Sequence, residues 1–196
     1  MYYISVAAME IIHPLIIGGI VYQYYKNHDY NEIERYSTFW PRFCAPSIDQ
    51  IVLWPIVSLV PAIIYTVWEL TEMMNTALIL GVPTTYILYS IYYHGRYGAT
   101  IGKYLCKVKV VDAQSEAPIS MKQAFLRDCI PFAIVVLILI HVLIMGPEAQ
   151  IGNKSPTSFL SWTYLLWFIV EVLTMLTNSK RRALHDFIAG TFVVRR

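Results

Sequence analysis

The sequence predicts an all-α integral membrane protein: about five transmembrane helices, a small cytoplasmic β-ribbon and an interfacial C-terminal helix. Three observations lead there. Of the 196 residues 57% are apolar and 14% charged, against roughly 45–50% and 25% in an ordinary soluble domain. The apolar residues come in blocks, each near the roughly 20 residues that a helix needs to cross a hydrocarbon core of about 30 Å. Threading those blocks back and forth places every Lys and Arg except Lys154 on one side, the bias that marks the cytoplasmic face.

The first block, residues 2–25, contains Glu10, His13 and Pro14. No basic residue precedes it and no small-residue cleavage site follows, so it is expected to be a retained helix. The second, 43–67, is entered through FWPRFCAPSIDQIV, with Arg42 at the entrance, Asp49 two turns in, and Pro46, Pro55 and Pro61 along it. Pro46 lacks the N–H that would serve the carbonyl of Arg42, which favours a kink there. A third block covers 72–94. The fourth, 129–146, is the shortest, its apolar run interrupted by His141, and the fifth, 158–178, carries Glu171.

Two segments have another character. Residues 95–128 open with glycines, then alternate Cys106, Val108 and Val110 with Lys107 and Lys109, the period of a half-buried strand. After a polar turn, Ser120 is placed to cap a helix that leads into the fourth span. The tail, SKRRALHDFIAGTFVVRR, reads as a short interfacial helix with Leu184, Phe187 and Ile188 on one side, stopped by Gly190 and followed by a strand. The strand-like stretches, about 105–111 and 191–195, are expected to pair on the inner face. A lone pair is marginal unless packed on the helices.

With an odd number of spans and the basic residues inside, the N-terminus is outside and the C-terminus cytoplasmic, in the cell (inner) membrane. The net charge is only +2. Its concentration on one face suits anionic inner-leaflet lipid in the bilayer; no nucleic-acid partner is expected. Cys44, Cys106 and Cys129 lack metal-ligand spacing and are expected to be free thiols.

FWPRFCAPSIDQIV resembles the first-helix signature of the RDD family, named for an arginine and two aspartates. GATIGKYLCKVKVVDAQSEAPISMKQAFLRD is similar to that family's glycine-rich loop, strand and re-entry segment, and RRALHDFIAGTFVV to its C-terminal His-Asp motif. The resemblance divides the chain into residues 1–37, an N-terminal transmembrane helix and cytoplasmic linker outside the match, and 38–196, an RDD-like membrane domain with four transmembrane helices. It implies a bacterial-type integral membrane protein and little about activity. By position, the arginine is Arg42 and the first aspartate Asp49; the second is Asp186, next to His185, with Asp128 as the alternative.

The charged residues define the candidate chemistry. Arg42 and Asp49 are seven residues apart, roughly 10 Å along a helix axis, so each is expected to find its partner elsewhere. Arg42 would pair with Asp186; its plainer role is an interface anchor. Asp49 would pair with a facing helix such as that of Glu171, which counting places at the same depth. Two carboxylates at one level would share a proton or chelate a small cation. His13, His141 and Glu10 fall together at another level.

The chain has no G-x-S-x-G, H-E-x-x-H or P-loop, and neither an enzyme nor a cofactor is expected. The leading reading is transport or sensing of a small cation or proton through Asp49 and Glu171, by a monomer or homo-oligomer. The competing one is an accessory or scaffold protein that regulates or assembles a partner membrane protein.

Overall fold

In the computed structural model, the described residues are 2–26, 34–69, 71–145 and 156–196. They form helices α1 (Tyr2–Lys26), α2 (Phe39–Trp54), α3 (Val60–Val67), α4 (Glu72–Tyr97), α5 (Ile101–Leu105), α6 (Met121–Met145), α7 (Pro156–Thr177) and α8 (Leu184–Ala189), with strands β1 (Val108–Asp112) and β2 (Thr191–Arg195). Each apolar block thus lies on a long helix. Among the described residues two helices are long and apolar enough to cross a membrane, Phe39–Val67 and Met121–His141, and Trp162–Thr177 is a shorter apolar helix. Only 11% of an apolar 18-residue stretch within each candidate span is buried. The core helix of a soluble protein would be mostly covered, so these apolar faces look outward, as lipid-facing surfaces do.

Proline shapes the first candidate span, though not where Pro46 suggested. Helix α2 runs unbroken through Pro46 and ends in a widened turn, Pro55–Leu59, before α3 continues. The N–H of Val60 reaches the carbonyl of Pro55, an i→i+5 bond. The disturbance falls between Pro55 and Pro61, where a wider turn makes room for a ring that would clash with the preceding carbonyls.

The fourth apolar block and its entrance form one helix from Met121. Ser120 caps it as expected: the N–H of Gln123 reaches Ser120 Oγ at 3.2 Å, and the N–H of Ser120 reaches Gln123 Oε1 at 3.0 Å.

The two strands pair antiparallel, Val108 opposite Arg195 and Asp112 opposite Thr191. The ladder starts later than residue 105 because Cys106 and Lys107 form a turn, with Lys107 at φ 54°. Val108, Val110 and Val193 are fully buried against Val21 and Tyr25 of α1, Ala45 and Ile48 of α2, and Ala124 of α6. An isolated ribbon is stable here because it closes the ends of three helices over one core. Gly190, at φ 64°, turns the chain from α8 into β2 through a conformation that a Cβ would penalise. Phe187 and Ile188 remain exposed on α8, in keeping with an interfacial helix. All three cysteines are free.

Candidate functional site

The charged residues form two neighbouring groups. Asp186 stands in the first turn of α8 and is completely buried. Its Oδ2 accepts from Arg42 Nη2 at 2.5 Å and from the N–H of Ala183 at 3.0 Å. Its Oδ1 accepts from Arg127 Nη1 and from Thr191 Oγ1. One carboxylate therefore joins α2, α6, α8 and β2. The pair of Arg42 with Asp186 expected from the sequence is present, and Arg42 is buried rather than anchored at an interface. Burial alone would raise the Asp186 carboxyl, but the guanidiniums of Arg127 and Arg42 and the Ala183 N–H hold it well below the usual carboxylate range.

His185 is wedged between these arginines and Glu171. Its Nε2 lies 2.9 Å from Arg127 Nη2 and 3.2 Å from Arg42 Nη2. A guanidinium can only donate, so Nε2 must accept and the ring proton belongs on Nδ1. That nitrogen lies 2.6 Å from Glu171 Oε2, which has no other polar partner among the described residues, and the His185 main-chain N–H reaches Glu171 Oε1 at 3.1 Å. Burial pushes the imidazole down, with Asp186 opposing and Arg127 reinforcing the shift. Two arginines thus balance two carboxylates around a neutral histidine.

Glu171 is consequently not the partner of Asp49. Equal depth failed as a guide because depth does not specify the side of the helix, and Glu171 looks toward α8. Asp49 instead accepts on Oδ1 from Tyr89 Oη of α4 at 2.6 Å and from the N–H of Gly102 at 2.7 Å. Tyr89 Oη in turn accepts the N–H of Ile101 at 3.0 Å. The first N–H groups of α5, which have no partner inside their own helix, are thereby tied to α2 and α4. The approach requires glycine: a Cβ on Gly102 would collide with the carbonyl oxygen of Ala45 and sit 3.0 Å from Asp49 Cγ.

Beside this contact is a cavity of about 220 Å³, whose lining includes Asp49, Tyr89, Ser90, His94, Lys103 and Asp128. Ser90 Oγ donates to Asp128 Oδ2 at 2.8 Å and lies 3.1 Å from His94 Nδ1. His94 Nε2 is 2.8 Å from Lys103 Nζ. Asp128, the alternative second aspartate, thus belongs to the cavity and Asp186 to the clasp.

Sequence reasoning missed Arg127, Tyr89, Ser90, His94, Gly102 and Lys103. Signals existed for two: Arg127 directly precedes Asp128 in LRD, and Gly102 lies in the glycine-rich loop. Of the remaining candidates, His141 joins neither group among the described residues. His141 Nε2 is buried without a hydrogen-bond partner among the described residues. Glu10 and His13 lie on α1, but their side chains fall outside the described residues.

No curated protein and no solved structure matches the chain. The sequence profile of the RDD family matches residues 36–190, a stretch that holds Arg42, Asp49, Arg127, Asp128 and Asp186 and covers most of the chain; the protein belongs to the RDD family.

Proposed function

We propose that this protein is a five-span protein of the cell (inner) membrane, N-terminus outside and C-terminus cytoplasmic, that moves or senses a proton or small cation at the cavity beside Asp49. The observation that carries the proposal is the convergence of carboxylates from separate helices, Asp49 of α2 and Asp128 of α6, on one cavity with Lys103 and His94. Ionisable groups on apolar spans are costly, and such groups usually line an ion or proton path. Glu171 has no part in the site, since both its oxygens face His185. The clasp around Asp186 serves as the fixed frame.

Flux through purified protein in proteoliposomes tests the proposal. Asn at either position keeps an oxygen acceptor and removes the charge. Asp49→Asn and Asp128→Asn are each expected to fold and to lose at least tenfold of proton or cation flux. Full flux in both variants would refute the assignment. Silence of the parent protein, together with a co-purifying membrane protein, would select the accessory or scaffold reading. The basic ribbon end, with Lys107, Lys109, Arg195 and Arg196, favours that second class.

A further inference from the structure

We infer that Lys103, His94, Ser90 and Asp128 form a one-directional proton relay, which makes the proton the species handled at the cavity. The inference deepens the transport reading and rests on it. Its basis is an unbroken chain of contacts: Lys103 Nζ to His94 Nε2 at 2.8 Å, His94 Nδ1 to Ser90 Oγ at 3.1 Å, and Ser90 Oγ to Asp128 Oδ2 at 2.8 Å.

The direction follows from which group can donate. An ionised Asp128 only accepts, so the single hydroxyl proton of Ser90 points at it. Ser90 Oγ then has only lone pairs to offer His94, so His94 Nδ1 carries a proton. In a neutral imidazole Nε2 is left as an acceptor, facing an ammonium that only donates. Every proton in the chain is therefore aimed from Lys103 toward Asp128.

A transfer balances without any other reagent. Lys103 gives a proton to His94 Nε2, His94 Nδ1 gives one to Ser90, and Ser90 gives one to Asp128. The products are a neutral amine, the Nε2–H tautomer of His94, a hydroxyl and a protonated carboxyl. A second proton in the same direction requires the ring and the hydroxyl to reorient first.

The surroundings suit a lysine that releases its proton near neutrality. Burial pushes the Lys103 amine down to about 7, helped by Arg127 and Arg42 and opposed by Asp186 and Asp128. The charged and titratable groups facing this region are Arg42 and Asp49 of α2, Tyr89 of α4, Arg127 and Asp128 of α6, Tyr164 of α7, and His185 and Asp186 of α8. Among them the arginines are occupied by Asp186, leaving Asp128 as the acceptor joined to Lys103 by hydrogen bonds.

Two measurements test the relay. In proteoliposomes under an imposed pH gradient, Ser90→Ala should lower proton flux at least tenfold, and Ser90→Thr, which restores the hydroxyl, should stay within about threefold of the parent. Independently, nitrogen-15 NMR of the histidines, assigned with His94→Gln, should find His94 as the neutral Nδ1–H tautomer at pH 7. Undiminished proton flux in Ser90→Ala, or an Nε2–H tautomer or imidazolium at His94, overturns the relay and leaves transport standing. Sodium or potassium flux without proton movement does the same. A parent protein silent toward protons, sodium and potassium alike takes down the transport reading and the relay together.

Discussion

The clasp and the cavity use the same residue types to opposite ends. Around Asp186, both carboxylate oxygens are taken, each by an arginine and a second donor, and α8 is pinned to α2, α6 and β2. Around Asp128 a single hydroxyl donates among the described residues, and open volume remains beside it. A buried carboxylate with every lone pair occupied is a rivet, because moving any proton or ion there would strand a guanidinium. One with a hydroxyl and a cavity beside it keeps room to change its protonation. The charged residues thus divide: Arg42 with Asp186 holds the frame, and Asp49 positions the loop that brings Lys103 to the cavity.

The largest expected effect comes from breaking the rivet. Asp186→Ala strands Arg42 and Arg127, both nearly buried, and should cost about 3–5 kcal/mol, seen as a marked drop in thermal stability in detergent. Arg42→Ala should cost less, because Arg127 still holds Asp186. The double substitution should cost less than the sum of the two. Simple additivity would show that the clasp contributes no coupling and would erase the contrast with the cavity.

A middle-sized effect is expected at the seam between the two regions. Gly102→Ala places a methyl group against the backbone of Ala45, which cannot swing aside as a side chain would. Helix α5 must move away from α2, lengthening the Asp49 contact and displacing Lys103. The expected cost is about 1–3 kcal/mol, with the Arg42–Asp186 pair intact. A disulfide engineered across that pair, R42C with D186C, would not serve as the readout, since it removes the charges. Melting of Gly102→Ala combined with Asp186→Ala does: losses that add place the two regions in separate units, whereas coupling above about 0.5 kcal/mol merges them.

How much of this was legible depends on which interactions are local. The helices, the Ser120 cap and the alternation of Val108 and Val110 follow from periodicity and capping chemistry over a few residues. The Arg42–Asp186 pair spans most of the chain and was legible only through the family resemblance and the axial separation that keeps Arg42 from Asp49. The partner of Asp49 was misread because a helix count gives depth without azimuth. Its donors, a tyrosine hydroxyl and a glycine N–H, look like interfacial anchoring and loop flexibility in the sequence. His94 and Lys103 escaped notice for a related reason: a residue at a helix end among basic neighbours reads as solvated until the α5 turn folds it inward.

The last expected effect is a pH dependence that separates the regions without disturbing either fold. Asp186, held below its ordinary range, contributes stability that is present above about pH 4, where an unfolded aspartate ionises, and is lost as pH falls through its folded value. Lys103 acts in another window. Its folded amine titrates at about 7, against about 10.4 for an unfolded lysine. Between those values the unfolded chain holds a proton that the folded chain has released, so stability rises as pH increases from 7 toward 10. Below pH 7 both states are protonated, and the folded state bears the full cost of a half-buried ammonium beside two arginines. Lys103→Met keeps much of the length of the side chain and removes the titration. Thermal melts of the parent and Lys103→Met, taken in detergent from pH 6.5 to 10, should therefore converge as pH rises, the variant being the more stable at the acid end. Parallel curves would show that Lys103 keeps an ordinary, solvated ammonium; the cavity would then be as fixed in charge as the clasp, and the contrast between them would fail.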